Sequence, residues 1–241
     1  MYDVAPILYN QWQDWRRRYV SGGNARETAY QIIRDKIISL DFKPGEALSD
    51  KQLAEQLKMS RTPVHEALII LATTNMVILK PQIGTFVAPI DVEWLEMEQF
   101  SRFATEKEIV ALACTHITDE YASQYETNLQ LYEQVVGQEG RPDRLRRLLE
   151  LDNTFHRIAF MAAGREDNYF HMLDNMQHIE RLRILSLLCV DQKETNSDHA
   201  EISKAIIEGN VVRAQYWLEL HLHRYKDNLK IIQAKFPEYF L

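Results

Sequence analysis

The chain has 241 residues, of which 46% are hydrophobic and 26% are charged, a composition typical of a soluble protein with a buried core. Its two cysteines, Cys114 and Cys189, are far apart and form no CxxC pair, which argues against a disulfide framework or a thiolate metal site. No apolar run is long enough to span a bilayer, and the N-terminus lacks the apolar region of a signal peptide. We therefore expect a cytoplasmic protein without a membrane segment.

The net charge of −7 is unevenly distributed along the chain. Residues 1–89 carry 11 Lys and Arg against 9 Asp and Glu, whereas residues 90–241 carry 17 against 26. A partner with phosphate groups is therefore expected to meet the N-terminal third. The positive surplus there is small, so charge alone does not decide whether the chain binds nucleic acid.

The N-terminal extension, residues 1–23, contains Trp12, Trp15 and the run Arg16-Arg17-Arg18, and it ends in Ser-Gly-Gly. Such an ending is typical of a linker. Two interpretations stay open for the segment before it. It is either a tail without a fixed contact, or an arm that reaches a phosphate backbone or a partner subunit.

Residues 24–90 predict a winged helix-turn-helix domain. Helical spacing of apolar residues, and then strand-like runs, follow one another over residues 25–40, 49–57, 60–73, 76–80 and 85–88. Ser60 is expected to cap the third helix, with Pro63 in its first turn, where a missing N–H costs little. The two strands are joined by residues 81–84 into a hairpin, and three short helices with a hairpin form a winged helix-turn-helix.

The third helix combines a buried stripe with an outward face. The stripe consists of Val64, Ala67, Leu68 and Leu71. Thr62, His65 and Ile69 point outward, and Arg61 lies at the N-terminal end. A helix of this kind fits the major groove of DNA, where its first residues meet base edges. Arg61 is the strongest candidate for a two-pronged contact with guanine, or else for a phosphate contact.

The residues LSDKQLAEQLKMSRTPVHEAL (48–68), followed by GTFVAP (84–89), closely resemble the winged-helix head of the GntR family of bacterial transcription regulators. The resemblance implies that six positions contact DNA: Lys51, Ser60, Arg61, Thr62, His65 and Gly84. Lys51 and His65 stand where the family usually has arginine. Because lysine is a point charge and histidine is mostly neutral, the affinity or the preferred operator should differ from the usual pattern.

Residues 91–241 predict an all-helical domain, because strand patterns are absent and long helical periodicity takes over. Breaks are expected near residues 115–119, 137–142, 164–167, 190–197 and 208–210. They divide this part of the chain into six or seven helices of one bundle.

Acidic and histidine side chains recur in three of these predicted helices. Asp152 and His156 lie at positions i and i+4 of one helix, His199 lies near the start of another, and His221 lies inside the last. The Asp–His pair alone is also consistent with a surface ion pair, and spacing does not bring the three helices together. If they meet, one aspartate and three histidines could hold a divalent ion with open coordination positions.

The segments LDNTFHRIAF, DHAEISKAI and AQYWLELHL are similar to the FCD domain, the helical effector domain of one GntR subfamily. The resemblance implies a divalent metal ion, with no clear choice among zinc, nickel and manganese. The implied ligands are Asp152, His156, His199 and His221. It also places Arg102 in the same pocket, where it could pair with an effector carboxylate. His223 is the main competitor of His221 as a ligand.

Together these features predict a transcription regulator rather than an enzyme. We expect a homodimer that binds a pseudo-palindromic operator, acts as a repressor and senses a small organic acid. Two alternatives stay open. One is a DNA-binding metal sensor in which the ion is the signal. The other is a metal-dependent hydrolase, which lacks an obvious general base and leaves the winged helix unexplained.

Overall fold

The computed structural model describes residues 24–141 and 143–241. The N-terminal extension, with its two interpretations, lies outside the described residues. Within the described residues the chain divides into two compact units. The head unit comprises residues 24–92 together with 236–241, and the helical unit comprises residues 93–235.

Three helices build most of the head unit: α1 (Ala25–Ile38), α2 (Asp50–Leu57) and α3 (Arg61–Thr73). Helix α2 begins after Ser49, whose side chain accepts a hydrogen bond from the backbone N–H of Gln52. Ser60 occupies the corresponding position before α3, but among the described residues its side chain makes no capping hydrogen bond. The predicted cap is therefore correct in position and lacks the expected side-chain contact.

The wing is a small antiparallel sheet made of β1 (Ala47–Leu48), β2 (Val77–Lys80) and β3 (Gly84–Val87). Its order is β1-β3-β2, with Leu48 opposite Thr85 and Lys80 opposite Gly84. The sequence predicts the β2–β3 hairpin but not β1, because two residues are too few to show an alternating pattern.

The core of the head unit lies between α1, α2 and α3. The predicted stripe of α3, which includes Leu68 and Leu71, is buried, and α3 packs on α1, whose Ile33 and Ile37 are also buried. This packing fixes the orientation of α3 about its own axis. Its opposite face is thereby held toward solvent.

The helical unit is built from eight α-helices within its described residues, one or two more than the sequence predicts. They are α4 (Val92–His116), α5 (Asp119–Val136), α6 (Arg144–Ala162), α7 (Glu166–Asp174), α8 (Gln177–Cys189), α9 (Lys193–Ile207), α10 (Val211–His223) and α11 (Tyr225–Lys235). The breaks after Asp174 and His223 contain neither glycine nor proline, so the sequence gives no strong signal for them. No described helix is both long and apolar enough to cross a membrane.

Helix α6 occupies a central place in the helical unit. It packs on α5, α7 and α8, while α9 packs on α10 and α5. Phe155 and Phe160 of α6 are buried, as are Ile202 of α9 and Leu218 of α10. Polar side chains on the inner faces of α6, α9 and α10 are therefore forced into the interior together.

Candidate functional site

The residues predicted to contact DNA are exposed on the head unit. Lys51 lies in the first turn of α2, and Arg61 and Thr62 lie in the first turn of α3. His65 follows one turn later on the same face. Gly84 begins β3 at the wing with a backbone φ of 143°, a conformation that favours glycine. The fold thus leaves all of these positions accessible to a partner.

Asp50 holds the exposed arginine of this face. The Arg61 Nη2 atom donates to Asp50 Oδ1 over 2.9 Å, although 64% of the Arg61 side chain is exposed. This hydrogen bond lowers the pKa of Asp50 below its usual value. Sequence reasoning missed the contact, although an acid at the first position of α2 is adjacent to Lys51 and was available as a signal. Asp50 therefore restricts the directions that Arg61 can take.

The four predicted metal ligands converge inside the helical unit. Asp152 and His156 come from α6, His199 from α9 and His221 from α10, and one ligand atom from each lies within 4.8 Å of the others. His199 Nε2 is 3.3 Å from Asp152 Oδ1. Long-range packing of three helices thus brings together what sequence spacing leaves apart.

The cluster has the chemistry that a divalent ion requires. His156 Nε2 and both ring nitrogens of His199 are buried and make no hydrogen bond within the described residues, although His199 Nε2 lies 3.3 Å from Asp152 Oδ1. Burial lowers the pKa of both side chains, most strongly for His199, and this favours the neutral imidazole that binds metal. Buried nitrogens without partners are costly, and an ion would satisfy them. These residues therefore fit a metal ion.

The remaining histidines of the helical unit lie outside the cluster. His223, the competitor of His221, is exposed, and its Nδ1 atom lies 2.8 Å from the backbone oxygen of Glu219. His116 and His171 are also exposed, whereas His178 is buried against the ring of Trp94. The structure therefore brings His221, rather than His223, to the other three ligands.

Glu106 joins the cluster to Arg102. His156 donates from Nδ1 to Glu106 Oε2 over 2.6 Å, and Arg102 donates from Nε to Glu106 Oε1 over 2.6 Å. Burial alone would raise the pKa of Glu106, but the charge of Arg102 and the hydrogen bonds from Arg102 and His156 hold it below its usual range. Glu106 is therefore a carboxylate at neutral pH. Its contact occupies Nδ1 of His156, and Nε2 is the ring nitrogen that makes no hydrogen bond within the described residues.

Arg183 of α8 holds the aspartate of the cluster. It donates to Asp152 Oδ2, to Glu180 Oε1 and to Asn153 Oδ1. Burial opposes ionisation of Asp152, but the charge of Arg183 lowers its pKa below its usual range. The aspartate thus stays charged, with Oδ1 directed toward His199.

Asp198 of α9 has a similar position beside His221. Arg224, just after α10, donates to both of its oxygens, over 2.9 Å from Nη2 to Oδ1. His221 Nδ1 lies 3.5 Å from Asp198 Oδ2. Sequence reasoning used Asp198 only as part of the segment DHAEISKAI and did not assign it a contact.

A cavity of about 100 Å³ opens beside the cluster. Its wall contains two of the cluster residues, Asp152 and His221, and three arginines, Arg102, Arg183 and Arg224. Hydroxyl and amide side chains complete the polar part of the wall; they include Tyr132, Ser186, Gln192, Thr195 and Asn228. A small molecule in this space would meet the cluster and the arginines at once. Arg102 therefore lies where it was predicted, although its Nε is already bound to Glu106.

The fold is that of a DNA-binding regulator with a C-terminal helical unit, and comparison with known families agrees. The family described as "Bacterial regulatory proteins, gntR family" matches residues 25–87, and the FCD domain matches residues 99–224. The chain belongs to the gntR family of bacterial regulatory proteins and carries an FCD domain.

Relatives over nearly the whole chain are transcription regulators and not enzymes. A helix-turn-helix-type transcriptional regulator in an unstable DNA locus of Streptomyces ambofaciens is 30% identical over 91% of this chain and 91% of its own. The helix-turn-helix-type transcriptional repressor RspR of Escherichia coli is 26% identical over 88% of this chain and 91% of its own.

Solved structures share the fold. McbR/YncC of E. coli superposes with a TM-score of 0.68 at 18% identity, covering 89% of this chain and 99% of that one. A GntR regulator from Rhodococcus sp. RHA1 gives a TM-score of 0.62 at 21% identity, covering 87% and 98%. The expected fold class, a winged helix-turn-helix followed by a helical bundle of FCD type, is confirmed.

Proposed function

We propose that this protein is a repressor that senses a small organic acid at a metal-containing pocket. The observation that carries the proposal is the convergence of Asp152, His156, His199 and His221 beside a cavity lined by three arginines. The same chain also carries the head unit, whose helix α3 has an exposed face suited to DNA. This supports a role of the pocket in regulating transcription.

The metal ion would be held by the four converging side chains. Zinc, nickel and manganese all suit one carboxylate and three imidazoles. When bound, the ion supplies a positive centre that attracts a carboxylate oxygen of the effector. The chain itself keeps the imidazoles neutral by burial and keeps Asp152 ionised through Arg183.

The effector would be an acid because the polar wall of the cavity presents guanidinium groups. Arg102, Arg183 and Arg224 all face the cavity, and guanidinium groups bind carboxylates with two parallel hydrogen bonds. Each arginine already has a carboxylate partner in the protein. An acid must therefore compete with these partners for the guanidinium groups.

In this proposal residues 24–90 bind the operator, with α3 in the major groove, and residues 91–241 bind the effector. A homodimer would present two copies of α3 to the half-sites of a pseudo-palindromic operator. Lys51, Ser60, Arg61, Thr62, His65 and Gly84 would make the contacts. The relative RspR carries the name of a repressor, which supports repression over activation here. A bacterial protein that binds chromosomal DNA would be located in the cytoplasm.

Regulation follows if the acid has different affinities for two arrangements of the helical unit. The acid would repack the helices that carry the pocket, and the two heads of the dimer would lose their spacing on the operator. Only a ligand with different affinity for the two states can shift their balance. The acid is therefore expected to bind DNA-free protein more tightly than DNA-bound protein, by linkage.

The first experiment is native mass spectrometry of the protein purified without chelators. The proposal predicts one divalent ion per chain, a dimer, and in some preparations a retained acid. Protein without metal, which also fails to take up zinc, nickel or manganese in a titration, would contradict the proposed site. Bound metal with no acid that alters DNA affinity would favour the metal-sensor alternative.

A further inference from the structure

Glu106 contacts both the proposed metal-binding cluster and Arg102, the arginine proposed to bind the acid. It lies on α4, and 2% of it is exposed. One of its oxygens accepts the hydrogen bond of His156, and the other accepts that of Arg102, each over 2.6 Å. A single buried carboxylate thus touches a predicted metal ligand and a predicted acid-binding arginine.

The same arrangement occurs a second time, with looser geometry. Asp198 lies 3.5 Å from Nδ1 of the ligand His221 and binds the cavity-lining Arg224 through both oxygens. Two of the three histidines therefore face a carboxylate that lies outside the four-residue cluster and is shared with an arginine. The repetition indicates that the sharing is part of how the pocket is built.

We propose that Glu106 is a positioning residue that both orients His156 for the metal ion and couples the strength of that ligand to Arg102. The proposal rests on the function proposed above, since it requires a metal ion at the cluster. It adds a regulatory link between the metal and the acid that the convergence of ligands alone does not supply.

The link follows from the competition of two donors for one carboxylate. When Arg102 draws charge toward Oε1, Oε2 becomes a poorer acceptor for the N–H of His156. The imidazole is then a weaker base, and its Nε2 is a weaker ligand. Removing Arg102 from Glu106 has the opposite effect on each of these groups and makes Nε2 a stronger ligand. An acid that binds Arg102 would have the same effect, so that acid and metal would each tighten the binding of the other.

The orienting role is tested by zinc affinity, measured by competition with a chromophoric chelator. Glu106→Gln keeps the shape of the side chain and removes its charge. Its zinc affinity should fall about 10- to 100-fold, the loss typical for an outer partner of a ligating histidine. Glu166→Gln is the matched control, because Glu166 also pairs with an arginine of the helical unit, Arg157. The control should bind zinc as the wild type does.

The coupling role is tested by a double-mutant cycle. Arg102→Gln should tighten zinc binding in the wild-type background, by a factor at least about twofold larger than in the Glu106→Gln background, the smallest interaction usual between residues in contact. In the Glu106→Gln background the same substitution should change zinc affinity less. An equal gain in both backgrounds would show a general charge effect and overturn the coupling. A loss of affinity in the wild-type background would overturn it as well.

The outcomes separate this proposal from the function on which it rests. If the wild-type protein binds no zinc, nickel or manganese, the metal site itself fails. If it binds metal and Glu106→Gln matches the Glu166→Gln control, the site stands and Glu106 has no role in it. Thermal melting checks each variant for folding. Should Glu106→Gln fail to fold, Glu106→Asp takes its place in both experiments, because it keeps the charge partner of Arg102 but shortens the reach to His156.

Discussion

The recognition face, formed by the exposed residues Lys51, Arg61, Thr62 and His65, differs from the proposed metal pocket in the exposure of its polar side chains. The side chain of Arg61 is 64% exposed, whereas that of His199 is 0% exposed. The recognition face is completed by a partner from outside, so its residues contribute little to the stability of the free protein. The polar groups of the pocket are buried inside the protein, where each polar atom needs a hydrogen-bond or charge partner to offset the free energy lost on leaving water. Substitutions in the face should change binding alone, and substitutions in the pocket should change binding and stability together.

The two regions also differ in the sequence distances that they join. Arg61 and Asp50 are 11 residues apart, whereas Glu106 and His156 are 50 apart and Asp152 and Arg183 are 31 apart. The face is therefore a local structure, and the pocket forms only when the whole bundle has packed. Substitutions that test this contrast should have their largest effects in the pocket.

The largest effect is expected from His199→Ala combined with His221→Ala. Removing two of four ligands should weaken metal binding far more than about 100-fold, since the loss of an outer partner alone costs 10- to 100-fold. Elemental analysis should find no metal above background. His223→Ala is the control, because His223 lies on the same helix but outside the cluster. Unchanged metal content in the double variant would rule out the proposed site.

The next largest effect is expected from Arg61→Ala on the recognition face. Loss of a two-pronged contact with a base costs about 1–3 kcal/mol, or roughly 5- to 150-fold in affinity for a duplex selected from a random pool. The preference at one base pair should relax, and thermal stability should stay near wild type. Arg165→Ala, an exposed arginine of the helical unit, is the control. A uniform loss on all duplexes would identify Arg61 as a phosphate contact instead.

A smaller effect is expected from His65→Arg, which restores the residue that the resembling family usually has. The added charge should tighten DNA binding and steepen the dependence of log affinity on log salt by about one. A changed operator preference would also support contact at this position. If affinity, salt dependence and preference all match the wild type, His65 does not touch DNA.

The smallest effect concerns pH and Glu98, which is buried in the helical unit. Its Oε2 accepts hydrogen bonds from the backbone N–H groups of His178 and Ile179, and burial raises its pKa from 4.5 to about 8. Between these values the unfolded chain releases the proton more readily than the folded chain. The contribution of Glu98 to stability is therefore full below pH 4.5 and is lost as the pH rises toward 8.

Glu98→Gln removes this titration, so its melting temperature relative to wild type should rise between pH 5 and pH 8. Each kcal/mol corresponds to about 2–4 °C in a domain of this size. Glu108→Gln, an exposed change on the same helix, should show no such trend. A constant difference between Glu98→Gln and wild type across the range would contradict the buried titration.

The sequence predicted the local structure of the head well because the signals lie within a few residues. The buried stripe of α3 and the β2–β3 hairpin follow from spacing and turn residues, and both are present. The short strand β1 and the break after Asp174 were missed, since neither has a pattern that sequence reasoning could use. In each case tertiary packing, rather than local preference, sets the structure.

The pocket was predictable only in its four proposed metal ligands and in Arg102. The resemblance to the FCD domain pointed to Asp152, His156, His199 and His221 as ligands. Sequence spacing alone could not show that these four residues lie close together. The residues that hold these ligands were not found, because their contacts join helices far apart in the chain. These residues are Glu106, Arg183, Asp198 and Arg224. From the sequence alone these charged residues would be expected on the exposed faces of helices.

The most direct test of the proposed function is the release of DNA by acids, measured by fluorescence anisotropy on a selected duplex. Zinc-loaded and zinc-free protein are each titrated with small monocarboxylic, dicarboxylic and hydroxycarboxylic acids. We predict that at least one acid releases DNA from the zinc-loaded protein and leaves the zinc-free protein bound. The account is contradicted if zinc alone releases DNA and no acid adds to its effect, or if acids act equally without zinc.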